Sequence, residues 1–134
     1  MKLKISFLLL IACSTLSSCS IIDDKEEGEE LQGNWKLIEI NDDAVYDPFA
    51  CPRETRIILK EENLIKTTYY DPAADCIEKV STGSWEYLED DQYAIEILPE
   101  IGQTEGRIDF ESINIFNFFT RSNDKVLIFT FERI

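Results

Sequence analysis

The side chains that could do chemistry in this chain are carboxylates and thiols. It has 27 Asp and Glu residues, four Cys and no His. Adjacent acids occur at Asp42-Asp43 and Glu89-Asp90-Asp91. Two carboxylates at a fixed separation across a sugar cleft could act as acid and base on a glycosidic bond. Here both clusters sit in polar, turn-like stretches, and neither has the alternating acids of a calcium loop. Without His there is no Ser-His-Asp or Cys-His relay and no His-based zinc or haem site. There is also no Gly-rich phosphate loop and no nucleophile elbow. No catalytic residue, metal or cofactor is therefore assigned, and the expectation is a protein that is not an enzyme. The formal net charge of −14 also argues against nucleic acid, whose phosphates it would repel.

The thiols carry more information than the acids. Lys2 and Lys4 precede a nearly all-apolar run from Ile5 to Ala12, which is too short to span a bilayer but suits the apolar core of a secretory signal. Leu16-Ser17-Ser18-Cys19 follows. This segment resembles the lipobox of bacterial lipoproteins, in which the cysteine thiol accepts a diacylglyceryl group. The small residues before it admit the signal peptidase. Leu10-Ile11-Ala12-Cys13 fits the same pattern but leaves a very short apolar core, so Cys19 is the expected lipid anchor. One acyl chain holds a membrane only marginally, and a triacylated cysteine meets the need for several.

Six of the eleven residues from Ser20 to Glu30 are acidic. Such a run buries too little to fold and reads as a solvated tether. It is similar to the acidic export signal of surface-exposed Bacteroidota lipoproteins; a plain spacer is the equal alternative. The chain then divides into a signal peptide (1–18), a lipidated cysteine with its acidic tether (19–30) and one domain (31–134). From Cys19 onward, 11 cations stand against 27 acids, a net −16; in the domain, 10 stand against 21, a net −11. The resemblance implies a bacterial outer-membrane lipoprotein, facing the periplasm or the cell surface.

The domain must position everything else, and its pattern is all-β. Short runs rich in Ile, Phe, Tyr and Trp are expected as strands at 34–40, 54–60, 64–70, 77–88, 92–98, 106–111, 113–120 and 125–133. Glu61-Glu62-Asn63, Glu89-Asp90-Asp91 and Ser122-Asn123-Asp124 read as hairpin turns, and Pro99 to Gly106 as a longer loop. Turns this short make sequential strands antiparallel neighbours. The expected architecture is an up-and-down meander of about eight strands closing into a barrel. Leu127, Phe129 and Phe131 share one face of the last strand, with Val126 and Ile128 on the other. Apolar residues on both faces leave two readings open: some exposed apolar residues on an outer wall, or a contact surface.

Gly33-Asn34-Trp35 opens the domain, and Gly83-Ser84-Trp85 repeats the pattern mid-chain. The first resembles the G-x-W of lipocalins, and the whole of 31–134 is similar to the lipocalin-like domain of small Bacteroidota lipoproteins. That resemblance implies a barrel closed at one end by Gly33, Trp35 and a basic residue of the last strand, for which Arg133 is the candidate through a cation–π contact. Cys51 and Cys76 both fall in loops, and the oxidising compartment implied by the signal makes a disulfide between them the natural reading, with a Cys-only metal site as the weaker one. The barrel would take a small hydrophobic or amphipathic ligand, with Tyr69, Tyr87, Phe116 and Phe129 as lining candidates by strand position. The competing expectation is a barrel filled by its own side chains, serving as a structural or protein-interaction accessory.

Overall fold

The computed structural model describes residues 27–42, 47 and 49–134. The signal peptide, Cys19 and most of the acidic tether lie outside the described residues, as does Asp43. Eight strands follow in chain order: β1 (Gly33–Ile40), β2 (Arg56–Lys60), β3 (Leu64–Asp71), β4 (Ile77–Glu89), β5 (Gln92–Glu96), β6 (Gln103–Ser112), β7 (Ile115–Ser122) and β8 (Lys125–Arg133). Each pairs antiparallel with the next, and β8 pairs back onto β1, from Trp35↔Arg133 to Ile40↔Phe129. The sheet is therefore a closed barrel in meander order.

The tight turns explain the order. Glu62 and Asn63, Asp90 and Asp91, and Asn123 and Asp124 all have positive φ. Two consecutive left-handed residues match the twist of the strands they join, and Asn and Asp tolerate that conformation better than other side chains with a Cβ. The acidic turn clusters noted in the sequence are thus used as hairpin corners.

Inward faces follow from period-two alternation. Trp35, Leu37, Ile57, Leu59, Ile65, Phe116, Phe118, Leu127, Phe129 and Phe131 are all buried. Val126, on the outer face of β8, is 47% exposed, and Ile113 in the β6–β7 turn is 81% exposed.

Several expected boundaries shift, with β2 starting at Arg56 and not at 54 and β7 running on to Ser122. β5 ends at Glu96 and not at 98, because its ladder to β6 closes at Glu96↔Gln103; Ile97 and Leu98, both buried, lie beyond it. The chain instead turns inward as a strap, 97–102. Its ends are tied by Ile101 and Gly102 amides donating to the Leu98 carbonyl at 3.1 and 3.0 Å. β6 begins three residues earlier than expected, since Gln103, Thr104 and Glu105 pair with Glu96, Ile95 and Ala94. β7 begins at Ile115, leaving Ile113 and Asn114 in the turn.

The acidic run also ends earlier than its composition suggests. Glu29–Leu31 forms a short 3-10 turn whose Leu31 is fully buried, and Gly28 is buried with it. Burial of one leucine against the barrel holds this turn in place despite its acids.

β4 is the longest strand and is unevenly paired. It pairs with β3 from Ile77 to Ser84, but with β5 only from Trp85 onward.

Candidate functional site

The two ends of the barrel differ in chemistry. At the closed end the indole N–H of Trp35 donates to the Leu31 carbonyl at 2.8 Å. The Arg133 guanidinium lies 4.1 Å from the centre of the Trp35 ring. Its three nitrogens donate to the carbonyls of Gln32, Glu30 and Ile113 at 3.0, 2.9 and 3.1 Å. One side chain thus ties the entering chain, β8 and the β6–β7 turn together, while its charge sits on an electron-rich ring. Gly33 has φ +135, and a Cβ there would come within 2.7 Å of Arg133 Nη1. The position therefore requires glycine on two counts.

This barrel, with its G-x-W and arginine closure, coincides with a family match. The lipocalin-like domain profile matches residues 31–118. The chain belongs to the lipocalin-like domain family. No curated protein matches the chain. Lipocalin-like domains are generally binding proteins and not enzymes. The matched span stops before β8, so the placement of Arg133 on Trp35 comes from the structure alone.

The second G-x-W extends the lipocalin-like floor. Trp85 is buried and donates from its indole to the Lys60 carbonyl at 3.0 Å. It packs against Gly28, where a Cβ would sit 2.9 Å from the ring. Tyr93 lies beside it, with ring centres 6.5 Å apart. Burial, joined by the carboxylates of Glu30 and Asp91, pushes the Tyr93 hydroxyl well above the ordinary tyrosine value. The sign of the linkage follows. An unfolded tyrosine ionises near pH ~10, the folded one only higher, so stability is intact below pH ~10 and falls as pH rises beyond it. Urea midpoints between neutral and strongly alkaline pH should show this decline, and Tyr93→Phe should remove part of the slope.

The four expected lining residues all face inward, but at different levels. Phe116 is fully buried in the floor, edge-on to Trp35 at 4.6 Å and stacked on Phe131 at 5.0 Å. Tyr87 is part-buried at the same end, T-shaped against Tyr93 at 5.3 Å. Phe129 lies in the middle layer beside Phe118, at 6.3 Å. Only Tyr69 reaches the open end. Its hydroxyl donates to Glu100 Oε1 of the strap at 3.4 Å. Burial first, and the Glu100 charge second, raise its ionisation above the ordinary value. The structure therefore does not gather these four into one site.

At the open end the inward residues are smaller and more polar. Thr67, Ser81, Lys79 and Gly83 follow from the pairs Thr67↔Ser81, Tyr69↔Lys79 and Ile65↔Gly83, since antiparallel partners share a face. Lys79 Nζ lies 2.6 Å from Asp71 Oδ2. That pair lowers the Asp71 carboxyl and raises the Lys79 ammonium from their ordinary values, with the hydrogen bond as the main cause. Thr67 is 1% exposed, and its hydroxyl has no hydrogen-bond partner. Above this layer lies the strap, with Leu98 buried and Ile101 packed on the core.

Thr67, Lys79 and Ser81 were not singled out in the sequence. A signal existed: Lys79, Ser81 and Gly83 alternate along β4, marking a face too small and polar for a dry core.

Cys51 and Cys76 form a disulfide, with Cα atoms 5.7 Å apart. It ties the β1–β2 connection to the β3–β4 corner, beside the open end. Outside the barrel, a groove of about 820 Å³ runs over Ile58 and Tyr70 between Arg53, Arg56 and Ile134. Arg53 covers the Tyr70 ring at 5.8 Å, and Tyr70 donates to Glu78 Oε2 at 2.9 Å, so its aromatic face is already used. Among the described residues no group of three or more His, Cys, Asp or Glu could hold a metal ion. The Glu89-Asp90-Asp91 cluster is exposed at a hairpin.

Proposed function

We propose that this protein is an outer-membrane lipoprotein, anchored through Cys19, whose lipocalin-like barrel receives a small amphipathic ligand at its open end. One observation carries the ligand reading: the Thr67 hydroxyl is buried, unpartnered and aimed into the polar layer beneath the strap. An orphaned buried hydroxyl costs about 1–3 kcal/mol, which a ligand's polar end recovers. Leu98 and Ile101 fill the mouth with apolar surface, which an apolar tail replaces when the strap lifts. Gly28 docks on the floor, so the tether leaves from the closed end. The nine residues from Cys19 to Glu27 reach at most about 30 Å. On this reading the floor faces the bilayer and the mouth faces away from it.

The test is Thr67→Val, which keeps the shape and deletes the hydroxyl. Urea unfolding should show the empty barrel stabilised by about 1 kcal/mol. Displacement of 1-anilinonaphthalene-8-sulfonate by palmitate should weaken in the same variant. A barrel that binds neither compound, or a variant that loses stability, refutes this reading. Labelled palmitate incorporation that survives Cys19→Ala refutes the anchor.

A second reading, a filled barrel serving as an accessory to a protein partner, is favoured by the floor. There Phe116, Phe131 and Trp35 consume the interior with their own rings, and Phe118 and Phe129 fill the layer above.

A further inference from the structure

The closed end of the barrel carries apolar side chains that its own core does not cover. Leu64 at the foot of β3, Leu88 at the foot of β4 and Ile113 at the tip of the β6–β7 turn are all exposed. Phe110 packs on Trp35 at 6.4 Å yet keeps 36% of its surface outside. Ile134, whose amide donates to the Asn34 carbonyl at 2.9 Å beside the floor, is exposed as well. These positions lie on three hairpins and the end of β8, around one rim. Single exposed apolar residues are ordinary, whereas a set gathered at one end marks a contact surface. The outermost of them is held in place. The Arg133 side chain and amide donate to the carbonyls of Ile113 and Asn114 at 3.1 and 2.7 Å.

We propose that this rim rests on the bilayer that holds the anchor, and that it takes a surface of zwitterionic headgroups with a free ammonium, such as phosphatidylethanolamine. The inference rests on the anchoring through Cys19 proposed above. The tether decides which end meets the lipid. Gly28 packs on the floor and Leu31 is fully buried there, so the nine residues from Cys19 to Glu27 start from the same end as the rim. β4 alone has 13 residues, roughly 40 Å of strand. A tether of at most about 30 Å would be stretched along the wall to bring Ile77 or Phe49, exposed at the mouth, down to the bilayer. With the floor down it is slack, and keeps its chain entropy. The headgroup follows from the corners that carry the apolar residues. Glu61 and Glu62 precede Leu64, Glu89, Asp90 and Asp91 follow Leu88, and Glu111 follows Phe110, all exposed. Glu111 also accepts from Asn117 at 2.6 Å. Lys60 is exposed beside them, while the Arg133 charge lies on the Trp35 ring. A rim of this sign is repelled by phosphatidylglycerol. It pairs with the ammonium of ethanolamine while the apolar tips reach the acyl boundary.

The test uses the mature lipidated protein in vesicles of phosphatidylethanolamine and phosphatidylcholine with brominated acyl chains. Ile113→Trp puts a fluorescent reporter on the rim, and Ile77→Trp puts one at the mouth. Trp35 and Trp85 are buried, and wild-type emission supplies their background. Ile113→Trp should emit at shorter wavelength on vesicles and be quenched severalfold more strongly than Ile77→Trp, which stays in water. Exchange of the zwitterionic lipid for phosphatidylglycerol should remove the quenching at low salt and restore part of it at high salt. A chain that floats with the vesicles but leaves Ile113→Trp unquenched, or quenches Ile77→Trp equally, overturns this proposal, spares the anchor and leaves the rim to a protein partner. Undiminished quenching in phosphatidylglycerol overturns the headgroup choice. A chain that does not float refutes the anchor and this proposal together.

Discussion

Trp35→Ala is expected to lower the stability of the barrel by about 3–5 kcal/mol, the range for truncating a large buried aromatic. The indole is fully buried, and three kinds of contact meet on it. Phe116 packs edge-on, Arg133 lies over its face, and its N–H satisfies the Leu31 carbonyl. Truncation leaves a cavity at the floor, orphans that carbonyl and removes the ring that holds the guanidinium. Trp35→Phe keeps much of the volume and should cost less. Arg133→Met keeps the stem packing but loses the cation and three donated hydrogen bonds, for an expected cost of about 2–3 kcal/mol. The two residues touch, so the double variant should cost less than the sum of the singles. Urea unfolding followed by far-UV circular dichroism measures all four. Additive losses would mean that the arginine acts only through the backbone carbonyls.

The second large effect is at the opposite end. Replacing Cys51 and Cys76 together with Ala is expected to destabilise by about 3.5 kcal/mol, the loop-entropy value for this span. The bridge joins residues 25 apart in sequence. It pins Cys51 near the end of the longest connection between the described strands, 41–55. The unfolded chain gains most from losing such a restraint. The fold should persist, because β1 and β2 still pair from Gly33↔Leu59 to Lys36↔Arg56. Urea midpoints of the double variant, and of the wild type with and without reductant, should agree. A loss below about 1 kcal/mol would show that the connection is held by its other contacts.

Much of this architecture was legible because a barrel wall is written in period two. The run 125–133 separates Leu127, Phe129 and Phe131 from Val126 and Ile128, and the structure buries the first set and leaves Val126 outside. Asp and Asn pairs between runs marked hairpin corners, since few other residues accept two positive φ values in succession. Errors arose where a side chain's fate depends on distant partners. Ile97 and Leu98 look like the end of a strand until the barrel mouth offers both of them a place. Glu29 and Glu30 look like the end of a solvated tether until the floor accepts the neighbouring Leu31.

The sequence by itself determined the strand alternation, the turn chemistry, the G-x-W signature and the position of a basic residue in the last strand. These are local properties, set by the backbone conformations each residue allows. Only the tertiary structure decided that the four aromatic candidates lie at different depths, that the Thr67 hydroxyl is stranded beneath a strap, and that β4 outruns its neighbour. Those facts depend on register and closure: which residue faces which across strands remote in sequence, and where one strand stops while the next continues. No local preference encodes that, because it is settled only when all eight strands share one interior.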